Sequence, residues 1–208
     1  MSARSGAAGA LLARDLTLSF RAGGGVGLAM GFFAASAALV PLGVGADLPL
    51  LGRIAGGVLW VCAALAALLS LDRMFQADYE DGSLEIVALS GLSLETVGVL
   101  KIFTHWLTTG LPLIVLTPVL ALLFNLPAAG YVPLLVSLAL GTPALSALGS
   151  VGAALTLSLR RGGLVLALIV LPLISPAIIF GAGSVLLALQ GAGFGAFYWL
   201  AAFSVLTV

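Results

Sequence analysis

Most side chains in this chain that could do chemistry lie between Asp72 and Lys101. That stretch carries Asp72, Asp78, Glu80, Asp81, Glu85 and Glu95 against only Arg73 and Lys101. Gly82-Ser83 breaks the helix before it, and Ser83 can N-cap a new one with Glu85 favourably placed in its first turn. Leu84, Ile86, Val87 and Leu89 then sit on a short helix outside the apolar stretches. Ser90-Gly91 ends it, and Ser93 caps a helix that runs through Lys101. A short apolar helix with acids leading into it fits a groove on a partner. In that reading Phe75, Tyr79, Leu84 and Ile86 supply apolar contact. Asp78, Glu80, Asp81 and Glu85 meet basic residues, and Arg73 pairs with one of the acids. The alternative is a plain loop kept in water by its charges, and the two capping signals favour docking.

The other candidate is His105, the one histidine, with Thr108 and Thr109 on the same helical face. It could ligate a haem iron or accept a proton. The plainer reading is a hydrogen-bonded histidine at a membrane interface beside Trp106, an expected interface aromatic. No second ligand and no acid lies in the apolar stretches, which favours the plainer reading. The same lack argues against proton or sodium coupling, which calls for ionisable groups inside the membrane. The pattern GxxxxGK[ST] does not occur, so ATP would have to be bound by another subunit. Cys62 stands alone in an apolar run and reads as a small buried residue, with no internal disulfide or metal site. No catalytic residue, metal or bound cofactor is expected. Zero net charge suggests no nucleic-acid partner.

The elements that must position these residues follow from where charge is missing. There is no Asp, Glu, Lys or Arg between Arg21 and Asp47, Arg53 and Asp72, Lys101 and Arg160, or after Arg161. The chain is 62% hydrophobic and 8% charged, against about 25% charged in soluble domains. It reads as an all-α polytopic membrane protein forming one transmembrane domain, 1–208. A span needs about 20 apolar residues, which places spans at 26–44, 54–71, 102–124, 132–159, 164–189 and 194–208. The third and fourth divide at Asn125-Leu-Pro-Ala-Ala-Gly130, a turn sequence. Residues 8–20 suit an interfacial helix on Leu11, Leu12, Leu16 and Phe20, released into the first span by Gly23-Gly24-Gly25. Alternating spans put Arg4, Arg14, Arg21, Arg73, Lys101, Arg160 and Arg161 on one side and only Arg53 on the other. The positive-inside rule makes the first side cytoplasmic, with both termini and the 72–101 loop in the cytoplasm. Gly27/Gly31 and Gly191/Gly195 have the spacing for close helix approach. Pro112, Pro118, Pro143, Pro172 and Pro176 are expected to bend their helices.

Several of these segments together resemble the haem exporter protein B family (CcmB). They are Leu12-Ala-Arg-Asp-Leu16, Leu71-Asp72-Arg73-Met74-Phe75, Asp78-Tyr79-Glu80-Asp81-Gly82-Ser83-Leu84-Glu85, Lys101 with His105-Trp106, Gly141-Thr142-Pro143-Ala144-Leu145, and Leu159-Arg160-Arg161-Gly162-Gly163. The resemblance implies an ABC-2-type permease of six transmembrane helices in a bacterial inner membrane, serving cytochrome c biogenesis. Its 72–101 loop would dock on a separate ATPase subunit (CcmA-like) that binds the ATP. Two copies would stand with two ATPase subunits beside a haem-handling subunit (CcmC-like) and a small subunit (CcmD-like). ATP hydrolysis would drive release of a haem-loaded chaperone (CcmE-like). The family implies a chain running past Val208. The isolated Trp60, Trp106 and Trp199 and the single histidine argue against haem held by two axial ligands within this chain. A generic ABC-2 exporter subunit for another substrate, or a non-transport membrane scaffold, would share these features.

Overall fold

Long apolar runs punctuated by capping and turn residues give a bundle of antiparallel helices. The computed structural model describes residues 2–20, 25–89, 92–159 and 162–208. Among them the chain forms α1 (Ser2–Phe20), α2 (Gly25–Val44), α3 (Leu48–Leu71), the short α4 (Gln76–Glu80) and α5 (Ser83–Leu89), and α6 (Leu94–His105). A π-helical turn, Trp106–Gly110, leads into α7 (Leu111–Leu123), followed by α8 (Ala128–Thr156), α9 (Gly162–Leu189) and α10 (Gly195–Thr207). Five membrane-crossing lengths result: α2, α3 with its extension through α4, α6 through α7, α8 and α9. The thirteen-residue α10 is apolar but shorter and packs against α8 and α9. The Arg160-Arg161 pair and Gly23-Gly24 lie outside the described residues.

The helix ends follow local chemistry, and several differ from the lengths that apolarity alone suggests. The second span begins at Leu48 instead of residue 54, because the Asp47 carboxylate accepts the Leu50 N–H at 3.0 Å and Pro49 fits the first turn. Arg53 is therefore inside the helix. The third begins at Leu94 instead of residue 102, where the Ser93 hydroxyl accepts the Thr96 N–H at 3.3 Å as expected. At the 125–130 turn Asn125 adopts φ 50° and the Leu126 N–H reaches back to the Ala121 carbonyl at 3.2 Å, the left-handed helix ending that asparagine tolerates. Helices α2, α7, α8 and α9 run through Pro41, Pro118, Pro133, Pro143, Pro172 and Pro176 without interruption. Pro112 instead follows the π turn, in which the Leu111 N–H bonds five residues back to Trp106.

The short links make consecutive long helices antiparallel. The core lies where α3 meets α8 and α9, around Leu59, Trp60, Leu71, Leu138, Val170 and Leu200. Lipid tails are as apolar as leucine, so membrane helices associate through close packing and hydrogen bonds. Trp60 does both. It is fully buried, donates its Nε1–H to the Ser137 hydroxyl at 2.9 Å, and lies against Gly141 and Gly181, where any side chain would overlap the indole. Gly149 makes room for Leu71, and Gly152 for Leu166 and Val170, in the same way. The expected close-approach pairs do not serve this purpose: Gly27, Gly31, Gly191 and Gly195 have no neighbour where a Cβ would stand.

Candidate functional site

The charged end of the bundle gathers four ions from three separate stretches of chain. Asp78 on α4 receives the guanidinium of Arg14 from α1 on one carboxylate oxygen and the ammonium of Lys101 from α6 on the other. Lys101 also meets Asp15 at 2.7 Å, and Arg14 approaches Asp15 at 3.8 Å. Asp15, Asp78 and Lys101 are 6%, 4% and 6% exposed. Two acids against two bases make the cluster neutral, which is what allows it to be buried. The Ser83 hydroxyl at the start of α5 donates to Asp78 at 2.8 Å, so the network ties α1, α4, α5 and α6 together.

This arrangement sorts the acids of the 72–101 loop. Asp78 was expected to face a partner, but its oxygens are taken from inside. Glu80, Asp81 and Glu85 are exposed, as are Tyr79 and Ile86, while Leu84 is half-buried. Phe75 is also half-buried and packs against the core. Arg73 is exposed beside the loop. Gly82 takes φ 74°, the left-handed turn that separates α4 from α5. Ser83 is the first residue of α5 rather than its cap, and Asp81 accepts the Ser83 N–H at 2.8 Å. Hydrogen bonding from Ser83 holds the Asp81 carboxyl below the usual carboxylate value. Ser90 and Gly91 lie outside the described residues.

Helix α1 packs against α6 through a face that includes Leu11 and Asp15, rotated from the Leu12–Leu16–Phe20 stripe. Leu12 and Leu16 are half-buried. Asp15 is the buried charged residue that the stripe reading misses. Its signal was an acid at i+4 from Leu11 on an apolar helix, where burial requires a cation nearby.

Inward of the ions, a cavity of about 640 Å³ is lined by Asp15, Asp78, Lys101, Ser70, His105 and Thr109 among others. His105 is buried between helices and hydrogen-bonded, as the plainer reading expected. Its Nε2 is 2.7 Å from the Ser70 hydroxyl and its Nδ1 2.9 Å from that of Ser146. Ser70 donates to the Ala67 carbonyl and lies 3.1 Å from the Thr109 hydroxyl. One arrangement of protons satisfies the set, with Nε2–H donating to Ser70 and Nδ1 accepting from Ser146. Both ring nitrogens are thus engaged by hydroxyls on neighbouring helices. Among the described residues no group of three histidine, cysteine or acidic side chains could hold a metal. Trp106 donates to the Thr142 hydroxyl at 3.0 Å, joining the third span to α8. Gly141 and Thr142 therefore each receive one tryptophan, Trp60 and Trp106.

The family model described as "CcmB protein" matches residues 7–208. Among curated relatives, the chain is 56% identical over 173 residues to Heme exporter protein B of Rhodobacter capsulatus, covering 83% of this chain and 79% of that one. It is 54% identical over 200 residues to Heme exporter protein B of Paracoccus denitrificans, covering 96% and 92%. With Heme exporter protein B of Pseudomonas aeruginosa it shares 46% identity over 199 residues, covering 95% and 89%.

Proposed function

Because the chain belongs to the CcmB protein family, we propose that it is the membrane-embedded permease subunit of a haem export system in a bacterial inner membrane. It is an ABC-2-type subunit of six spans, with the charged end in the cytoplasm. It has no catalytic group of its own and holds no cofactor; ATP is bound by a separate CcmA-like ATPase, and haem is handled by the complex. Two copies work with two ATPase subunits, CcmC-like and CcmD-like membrane subunits and a CcmE-like chaperone, whose haem-loaded form is released on ATP hydrolysis.

One observation carries the coupling part of this reading. The α4–α5 segment stands off the end of the bundle with Tyr79, Glu80, Asp81, Glu85 and Ile86 outward, while Asp78 fastens it from behind to Lys101 at the head of the third span. A partner pressing on α5 pushes on a segment already anchored to α1 and α6. The motion passes to the spans instead of being lost in a loose loop.

Co-purification with candidate ATPase subunits tests this. Glu85→Lys with Ile86→Asp changes only the outward face and should abolish ATPase capture, and with it cytochrome c assembly, while membrane insertion is kept. Undiminished capture by that variant would remove the docking assignment. Failure of the wild-type chain to capture any ATPase would favour the scaffold reading.

A further inference from the structure

A second cavity lies away from the ion network, as a groove between α2, α3 and α9. Its volume is about 550 Å³, within the roughly 300–1,000 Å³ of small-molecule sites. Val40, Ile54, Val58, Val61 and Leu186 line it, and Arg53 is its one charged lining residue. Among the described residues Arg53 has no ion-pair partner. Asp47, the other charge near this end, caps α3 instead. The 24 residues of α3 span about 36 Å at 1.5 Å per residue, longer than the roughly 30 Å hydrocarbon core. Arg53, in the second turn, therefore stands close to the level of lipid headgroups. The groove continues from it toward Cys62, about 14 Å further along the helix.

An unpaired guanidinium at headgroup depth, opening onto an apolar channel along a membrane-crossing helix, complements one kind of molecule. We infer that the groove holds an acyl chain of an anionic phospholipid whose phosphate lies on Arg53. The guanidinium offers paired donors matched to phosphate oxygens. The wall is also shaped for an occupant. Gly57 and Gly183 both line the groove, and a Cβ on either would meet nothing within 4 Å. They leave open a space that larger residues would fill without disturbing any helix contact. This site does not depend on docking of an ATPase.

Native mass spectrometry of the full chain in detergent, with phosphatidylglycerol and phosphatidylcholine supplied in equal amounts, tests the proposal. The wild type should retain one phosphatidylglycerol in preference to phosphatidylcholine. Arg53→Gln should weaken that retention about tenfold, the scale of one lost charge-assisted contact, and Arg53→Lys, which keeps the charge but not the paired donors, should fall between the two. Gly57→Leu and Gly183→Leu should each abolish retention of both lipids while melting with the wild type. Equal phosphatidylglycerol retention by wild type, Arg53→Gln and Gly57→Leu would overturn the site. So would a change from dimer to monomer in Gly57→Leu with lipid retention unaltered, since that would assign the groove to a second copy of the chain.

Discussion

The charged end and the middle of the bundle are held together by opposite means. At the charged end, Arg14, Asp15, Asp78 and Lys101, with the Ser83 hydroxyl, draw in four elements, three of which are short or peripheral. In the middle, Trp60 fills a notch left by two glycines on two long helices, with one hydrogen bond to Ser137. The first contact depends on charge balance. The second depends on shape and involves no charge. The short, peripheral elements are thus joined by ions, and the long apolar helices are joined by packing.

The charged end is most sensitive at Lys101, which touches both buried acids. Lys101→Met leaves Asp15 and Asp78 together in a buried site with only the more exposed Arg14 between them. Removing one partner of a buried pair costs about 3–5 kcal/mol. Thermal melting of the detergent-solubilised protein should fall accordingly. If balance rather than any single bond is what matters, Lys101→Met combined with Asp78→Asn should recover a large part of the loss, because Arg14 and Asp15 then remain as a pair. No recovery would mean that Lys101 acts by packing its stem instead.

A smaller effect is expected in the notch. Gly181→Ala drives a methyl group into the indole, and overpacking costs typically about 1–3 kcal/mol. Trp60→Leu in the same chain should relieve part of that cost, whereas no second substitution at the charged end should. Melting of the single and double variants measures the coupling between the two positions. Gly27→Ala, where nothing stands near, should melt with the wild type.

The sequence foretold the long helices but neither of these two contacts, for a physical reason. Spans and turns could be read because they are local: charge-free runs, the Ser93 cap and the Asn125 turn each declare themselves within a few residues. The ion network could not, because its members lie up to 87 positions apart and their pairing is a property of the fold. Asp78 looked like its neighbours Glu80 and Asp81, and only the approach of Lys101 and Arg14 shows that it faces inward. Trp60 looked isolated for the same reason, since its partners Gly141 and Gly181 belong to other helices. Spacing rules also misdirected the glycines. A four-residue interval marks a possible seam, but the seams used here are single glycines opposite one large side chain.

The smallest effect on stability should come from the outward face of the same loop that contains Asp78, and it separates holding from docking within a few residues. Glu85 and Ile86 are exposed, and neither takes part in the ion network. Glu85→Lys with Ile86→Asp should therefore leave the melting temperature of the isolated chain unchanged, where Asp78→Asn lowers it. The two variants should rank in the opposite order of specificity when an ATPase is present: the first loses capture alone, and the second loses stability together with capture. A lowered melting temperature in the Glu85/Ile86 variant would show that α5 also supports the bundle, and the division of this loop into an inner anchor and an outer docking face would fail.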